Sequence, residues 1–212
     1  MKSKMYLAKN APQELAEYIE SKGFEVVFME TLLNVAPPIS NHPDLIFCRL
    51  KGDRVFMGER TLLQAEYPGD VRYNACSTGK YFIHNLKFTD TELLREASDM
   101  DLIPVDVKQG YAKCSIVVVD EDSIITYDRG IAAACMEAGL DVCLVSPGHV
   151  KLDGYPTGFI GGASGRVGDE VIFNGDLSAH PDFEKIKSFI EGKGLGLRFF
   201  AQWDLEDIGS IV

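Results

Sequence analysis

The feature that most constrains this chain is a strand–turn–strand pattern at residues 158–173 that also occurs at residues 44–57. In each copy an apolar segment leads into a Gly-Asp turn, at 168–169 and 52–53, and a β-branched or aromatic segment follows. A repeated supersecondary unit constrains the architecture more than any single motif does, because equivalent copies must pack in equivalent ways.

The same order of elements recurs with a helix and a further strand added. Three successive segments each predict strand, strand, helix and strand, with a period of about 40 residues. The complete copies are 71–107, 111–146 and 157–200, and the partial copies are 4–29 and 44–65. Units of this size cannot bury their apolar faces alone, so we expect them to close around each other in one domain, 1–212.

Local signals support this assignment. Residues 114–119 are predicted as the first strand of the fourth unit, and Asp128 as the cap of its helix. Residues 203–212 have no clear place in the repeat.

Composition narrows the classes of function. The formal net charge of −11 argues against nucleic acid or an anionic membrane as a partner, because both require a basic face. No apolar run approaches the roughly 20 residues that span a bilayer, and the N-terminal residues turn polar too early for a secretory signal. The five cysteines lack metal-type C-x-x-C spacing. We therefore expect a soluble cytoplasmic protein with reduced thiols, no metal and no cofactor.

Three sequence features resemble the pentein superfamily. These are the double glycine at 161–162, the repeated Gly-Asp turns and the His-Pro-Asp stretch at 42–44. The resemblance covers nearly the whole chain and is closest to an uncharacterised bacterial branch. It implies an α/β propeller of about five ββαβ units around a pseudo-fivefold axis. Its catalytic members are guanidino-modifying enzymes such as arginine and agmatine deiminases, dimethylarginine hydrolase and amidinotransferases, and a ribosome anti-association factor uses the fold without catalysis.

The final unit departs from the catalytic members of that superfamily. They carry a nucleophilic cysteine shortly after the double glycine, commonly as G-G-x-x-H-C. Here residues 161–166 read GGASGR, and the last cysteine of the chain is Cys143. Neither Ser164 nor Arg166 is a strong nucleophile unaided. The resemblance therefore does not imply the standard deiminase or amidinotransferase chemistry for this chain.

The candidate site residues are those that a cyclic repeat would direct to its axis. Cys48, Cys76 and Cys114 are predicted near the ends of first strands, either as a pocket with one activated thiol or as inert packing, the interpretation we favour. His42 is a candidate acid–base group at the mouth of the channel. The candidate binding residues are Asp44 and Asn74, which precede strands, and Ser115 and Ser164, which occupy positions equivalent to those beside the cysteines.

The glycines at 161–165 admit two interpretations. A phosphate-binding loop requires a helix immediately afterwards, whereas the sequence predicts a strand there. We therefore expect these glycines to permit close approach of strands at the axis.

Two functions follow from these observations. The first is a non-catalytic or diverged protein that binds a small polar metabolite, such as an amino acid or a guanidino compound. The alternative is a hydrolase or transferase that acts on a guanidino or other C–N substrate through a rearranged cysteine nucleophile. The spatial positions of the three cysteines and His42 discriminate between them.

Overall fold

Five small sheets and the helices between them form the mixed α/β fold in the computed structural model, which describes residues 2–212. The strands are β1 (Lys4–Leu7), β2 (Glu25–Phe28), β3 (Phe47–Arg49), β4 (Val55–Met57), β5 (Cys76–Ser77), β6 (Tyr81–His84), β7 (Ile103–Asp106), β8 (Ile116–Asp120), β9 (Ser123–Thr126), β10 (Asp141–Leu144), β11 (Ser164–Val167), β12 (Glu170–Phe173) and β13 (Gly196–Arg198). The α-helices of this part of the chain are α1 (Gln13–Ser21), α2 (Thr91–Asp99), α3 (Ala112–Ser115), α4 (Arg129–Glu137) and α5 (Phe183–Gly192).

Three of the sheets share one topology. In β5-β6-β7, β8-β9-β10 and β11-β12-β13 the first two strands form an antiparallel hairpin and the third strand pairs in parallel with the second. The parallel strand is reached through α2, α4 or α5, respectively. The structure thus has the predicted order of strand, strand, helix and strand in each of the three complete segments.

The other two sheets contain two strands each. β3 and β4 form an antiparallel hairpin, whereas β1 and β2 are parallel and joined by α1. On its other side β1 pairs with Val212. The N–H of Tyr6 donates to the Val212 carbonyl oxygen at 2.7 Å, and the N–H of Val212 donates to the Tyr6 carbonyl oxygen at 3.2 Å. This reciprocal exchange is typical of an antiparallel residue pair, so the last residue of the segment 203–212 pairs with the middle of β1.

Neighbouring sheets contact one another through their first strands. β3 contacts β5, β5 contacts β8, and β8 contacts β11. The N–H of Ile211 donates to the Ser164 carbonyl oxygen on β11 at 2.9 Å, and the ring of Tyr6 on β1 stacks on Phe47 of β3 with centroids 4.0 Å apart. Apolar side chains of helices and strands fill the spaces between adjacent sheets in four clusters. Within residues 2–212, no helix is both long and apolar enough to cross a membrane.

The predicted hairpin turns depend on glycine in the left-handed region. Gly52 has φ of 56° and Gly168 has φ of 61°, and these residues begin the turns of the antiparallel pairs β3-β4 and β11-β12. Such turns favour glycine because other residues adopt positive φ at a cost. The Gly-Asp pattern therefore identified both hairpins correctly.

The prediction of a strand at 114–119 was wrong at its start. Cys114 and Ser115 lie in the helical turn α3, and the strand begins at Ile116. The side-chain oxygen of Asn74 accepts hydrogen bonds from the N–H groups of Lys113 and Cys114 at 3.0 and 3.3 Å. These bonds satisfy donors at the start of the turn, as a capping side chain does. Asn74 is distant in sequence from α3, so no local sequence pattern predicts this helical turn.

A single substitution tests the capping role of Asp128 at the start of α4. Asp128 accepts hydrogen bonds from the N–H groups of Gly130 and Ile131 at 2.7 and 2.9 Å, as predicted for a cap of α4. Asp128→Ala should lower the free energy of unfolding by about 1 kcal/mol in urea titration. The matched control is Glu137→Ala, which removes the same charge from an exposed position at the other end of α4 and should be nearly neutral. Equal losses in the two variants would contradict the capping role.

Candidate functional site

A group of buried polar side chains meets beside the start of β8. The thiol of Cys114 donates to Oδ2 of Asp44 at 3.0 Å, and the hydroxyl of Ser210 donates to the same oxygen at 2.7 Å. The side-chain amide of Asn74 contacts the Cys114 sulfur at 3.2 Å and donates to the Asp44 backbone carbonyl at 3.2 Å. A buried polar network of this kind fixes the positions of its members.

Three segments that are distant in sequence hold this group in place. Asp44 lies in the 3-10 turn Pro43–Leu45, and its N–H donates to the Gly209 carbonyl oxygen at 3.1 Å. Cys114 is held by the turn α3. Ser210 follows Gly209 with a positive φ of 67°, which directs its hydroxyl to Asp44. The backbone of the segment 203–212 is therefore part of the site.

A second buried carboxylate, Asp207, lies in the same region. Its Oδ2 accepts a hydrogen bond from the N–H of Phe159 at 2.9 Å, and its Oδ1 accepts one from the N–H of Gly209 at 2.9 Å. Nδ1 of His42 lies 3.9 Å from Oδ1. The backbone at Gly162 approaches this carboxylate so closely that a Cβ atom there would lie 2.0 Å from Oδ1. The second glycine of the double glycine thus makes room for Asp207.

Burial determines the protonation of these groups. It raises the pKa of the Asp44 carboxyl and raises that of Asp207 to about 6, and it lowers the pKa of the His42 imidazole. Burial, followed by the negative charges of Asp44 and Asp207, raises the pKa of the Cys114 thiol well above its usual range. The thiol and the imidazole are therefore uncharged at neutral pH, and Asp207, whose pKa of about 6 is also lowered by the charge of Lys113, is the acidic group of the cavity lining.

A cavity of about 80 Å³ opens onto His42, Cys114 and Asp207. Its remaining lining is mostly apolar or aromatic: Ile39, Leu45, Tyr111, Leu152, Tyr155, Thr157 and Phe159. This volume accommodates several water molecules or a small organic group. Aromatic walls around a negative base favour a cation, because ring faces and carboxylates both attract positive charge.

The structure brings together four of the predicted site residues. Cys114, Asp44 and Asn74 are in direct contact, and His42 lines the same cavity. These four were among the side chains predicted to converge, and they lie beside the start of β8.

The other predicted site residues lie apart from the cavity. The thiol of Cys48 donates to the Ala75 carbonyl oxygen at 3.2 Å, and burial raises the pKa of Cys48 and also that of Cys76, to about 11. The hydroxyl of Ser115 lies 3.3 Å from the Tyr127 hydroxyl, and that of Ser164 donates to the Gly161 carbonyl oxygen at 3.1 Å. These four side chains are buried and none of them lines the cavity.

Sequence reasoning missed Asp207 and Ser210. Both belong to the segment 203–212, which has no counterpart in the repeat and therefore no predicted position. The one local signal is the Gly209-Ser210 pair after an acidic residue, which is typical of a turn rather than of a site. In the part of the chain that the structure describes, no three His, Cys, Asp or Glu side chains are grouped to hold a metal ion.

The fold and the site define a mixed α/β protein with a buried thiol–carboxylate pocket. The chain belongs to DUF6873, a family of unknown function, whose sequence profile matches residues 52–212. The matched region includes Asn74, Cys114 and Asp207, whereas His42 and Asp44 precede it. No curated protein matches the chain, and no solved structure matches it.

Proposed function

We propose that this protein binds a small cationic nitrogen compound, with a guanidino or amino group, in the cavity above Asp207. The observation that carries the proposal is the pair of buried carboxylates, Asp207 at the cavity and Asp44 behind Cys114. Within residues 2–212, Oδ1 of Asp44 is buried without a hydrogen-bond partner.

A cationic ligand complements this arrangement. Burying a carboxylate costs free energy unless positive charge or hydrogen-bond donors compensate for the lost water. His42 supplies no charge to the pair at neutral pH, because burial lowers the pKa of its imidazole. A guanidinium or ammonium group carries both the charge and the N–H donors, and the rings of Tyr111 and Phe159 offer it aromatic surface.

We also propose that the five sheets form a pentein-like propeller around a channel. Support comes from the order of contacts between the sheets. This order runs from β3 through β5, β8 and β11 to residues 211–212, then to β1 and back to β3. An open parallel sheet in a crystal structure would contradict this arrangement.

A second candidate function is thiol chemistry on the same ligand. Cys114 is the cysteine that lines the cavity, and its thiol already donates to a carboxylate oxygen 3.0 Å away. Asp44 is the hydrogen-bond acceptor of this thiol and can take its proton. The thiolate would then bond to the guanidino carbon, the C–N bond to the amine would break, and the amine would leave with the proton from Asp44. Water would afterwards hydrolyse the C–S bond and release the thiol. This candidate differs from simple binding in requiring Cys114 for turnover.

Calorimetry with methylguanidinium tests the binding proposal. The wild type should bind methylguanidinium and should not bind methylurea, which has a similar shape and no charge. Asp207→Asn should weaken the binding by about tenfold, because it removes one charge-assisted pair. Affinity should also rise about tenfold between about pH 5 and about pH 7, since the ligand requires ionised Asp207, whose pKa is about 6.

The matched control is Asp204→Asn, which makes the same chemical change at an exposed position three residues away. It should leave the affinity unchanged. Equal binding of methylurea, or full affinity in Asp207→Asn, would contradict the proposal. Cys114→Ser then separates the two candidates: a binding protein keeps its affinity in this variant, whereas an enzyme loses release of amine from methylguanidinium.

A further inference from the structure

A second cavity, of about 160 Å³, lies at the opposite end of the first strands. The cavity above Asp207 is lined by residues that precede these strands, such as Leu45, Cys114 and Phe159. The second cavity is lined mostly by residues within and after the same strands, including the segments 47–50, 77–79 and 165–166, and also by Ala75 and Lys113, which precede β5 and β8. The two cavities share no lining residue.

The charge of this second cavity is opposite to that of the molecule. Its lining includes Arg49, Lys113 and Arg166 and contains no Asp or Glu. The chain as a whole has 32 acidic against 21 basic residues, so three cations in one cavity without an acid stand out. None of the three forms an ion pair within 4.0 Å with any residue of the described range 2–212. The acidic residues whose charges act on these cations are Asp53 on Arg49, Asp120 and Asp169 on Arg166, and Asp207, whose pKa the charge of Lys113 lowers; all of them lie outside the lining.

Both guanidinium groups are anchored and still have free donors. Nη2 of Arg49 donates to the Lys4 carbonyl oxygen at 2.6 Å, and Nε of Arg166 donates to the Gly168 carbonyl oxygen at 2.8 Å. A guanidinium has five N–H donors, so backbone carbonyls fix each group without exhausting it. The ammonium of Lys113 has no hydrogen-bond partner in the described residues. Pre-positioned donors of this kind are what an anion site requires.

We propose that this second cavity is a binding site for a small multiply charged phosphate compound. Guanidinium groups match the geometry of phosphate oxygens, and three cations balance a polyvalent anion better than a monovalent one. Burial lowers the pKa of Arg49 and of Arg166, because a buried guanidinium group loses hydration. A bound anion would compensate for that lost hydration. The site uses other lining residues than the cation proposal and the opposite charge, and Lys113 links the two electrostatically, because its charge lowers the pKa of Asp207.

Calorimetry with pyrophosphate in a phosphate-free buffer tests this site. The wild type should bind pyrophosphate more tightly than inorganic phosphate, and the affinity should fall as sodium chloride is added. Lys113→Met should weaken pyrophosphate binding by about tenfold, since it removes one charge-assisted contact. Lys113→Arg should restore most of the affinity, and Lys108→Met, at an exposed lysine outside the cavity, should behave as the wild type.

Two further ligands define the chemistry of the site. Glycerol phosphate tests whether an esterified phosphate is accepted, and malonate supplies two negative charges without phosphorus. Tighter binding of glycerol phosphate than of inorganic phosphate would assign the site to phosphate esters, and the reverse order would assign it to free phosphates. The proposal would be overturned if pyrophosphate did not bind, or if malonate bound as tightly as pyrophosphate. It would also be overturned if Lys113→Met kept the wild-type affinity for pyrophosphate.

Discussion

Gly162→Ala should destabilise the folded protein by about 3 kcal/mol. A Cβ atom at this position would lie 2.0 Å from Oδ1 and 2.3 Å from Cγ of Asp207. The carboxylate cannot retreat without loss, because its oxygens accept hydrogen bonds from the N–H groups of Phe159 and Gly209. The Gly162 carbonyl also accepts from the N–H groups of Ile208 and Ser210, which holds its own backbone in place. The measurement is the free energy of unfolding from urea denaturation.

Gly192→Ala is the matched control for this substitution. Gly192 is the last residue of α5, and a Cβ atom there would meet no heavy atom within 4 Å. Alanine should therefore stabilise the protein by about 0.5–1 kcal/mol, because it loses less backbone entropy on folding than glycine does. If Gly162→Ala were as stable as the control, the close approach of the double glycine to Asp207 would be refuted.

The parts of the fold that the sequence predicts are those encoded by neighbouring residues. The turns at 52–53 and 168–169 require positive φ, which favours glycine at their first positions. The cap at Asp128 satisfies donors only two and three residues away. Such interactions can be predicted from a single sequence, because the two partners are close to each other along the chain.

The parts that could not be predicted depend on partners distant in sequence. Cys114 lies in a helical turn because the side chain of Asn74, from the preceding unit, accepts its N–H. Asp207 belongs to a segment without a repeat counterpart, so no equivalent position indicates where it lies. The glycines at 161–165 were expected to permit close approach of strands, whereas the group that lies close to Gly162 is the side chain of Asp207, which the sequence did not identify.

The sequence predicted some members of the candidate site and not others. We expected equivalent positions of a cyclic repeat to face one axis, and of the residues grouped on that expectation Asn74 and Cys114 do lie with His42 and Asp44. The same rule could not separate Cys114 from the other two cysteines. In the structure the Cys114 thiol meets a carboxylate oxygen and the Cys48 thiol meets a backbone carbonyl, and nothing local in the sequence distinguishes these partners.

Cys114 should react with iodoacetamide more than about a hundredfold more slowly in the folded protein than in urea at the same neutral pH. The thiolate is the reactive form, and burial together with Asp44 and Asp207 raises the pKa of this thiol well above its usual range. Cys48 and Cys76 should be protected as well, since burial raises the pKa of both thiols. Peptide mass spectrometry after timed quenching measures each cysteine separately, and the unfolded protein provides the reference rate.

The reaction at Cys114 decides between the two candidate functions. Rapid alkylation of Cys114 alone in the folded protein near neutral pH would contradict the protonated, buried thiol and would favour thiol chemistry. Asp44→Asn separates the electrostatic cause from burial, because it removes the negative charge beside the sulfur and keeps the side-chain shape. If the carboxylate contributes to the raised pKa, Cys114 should react faster in this variant than in the wild type while Cys48 and Cys76 stay protected. Faster reaction of all three would instead indicate local unfolding, and an unchanged rate at Cys114 would exclude the charge of Asp44 as a cause of its protection, leaving burial and Asp207.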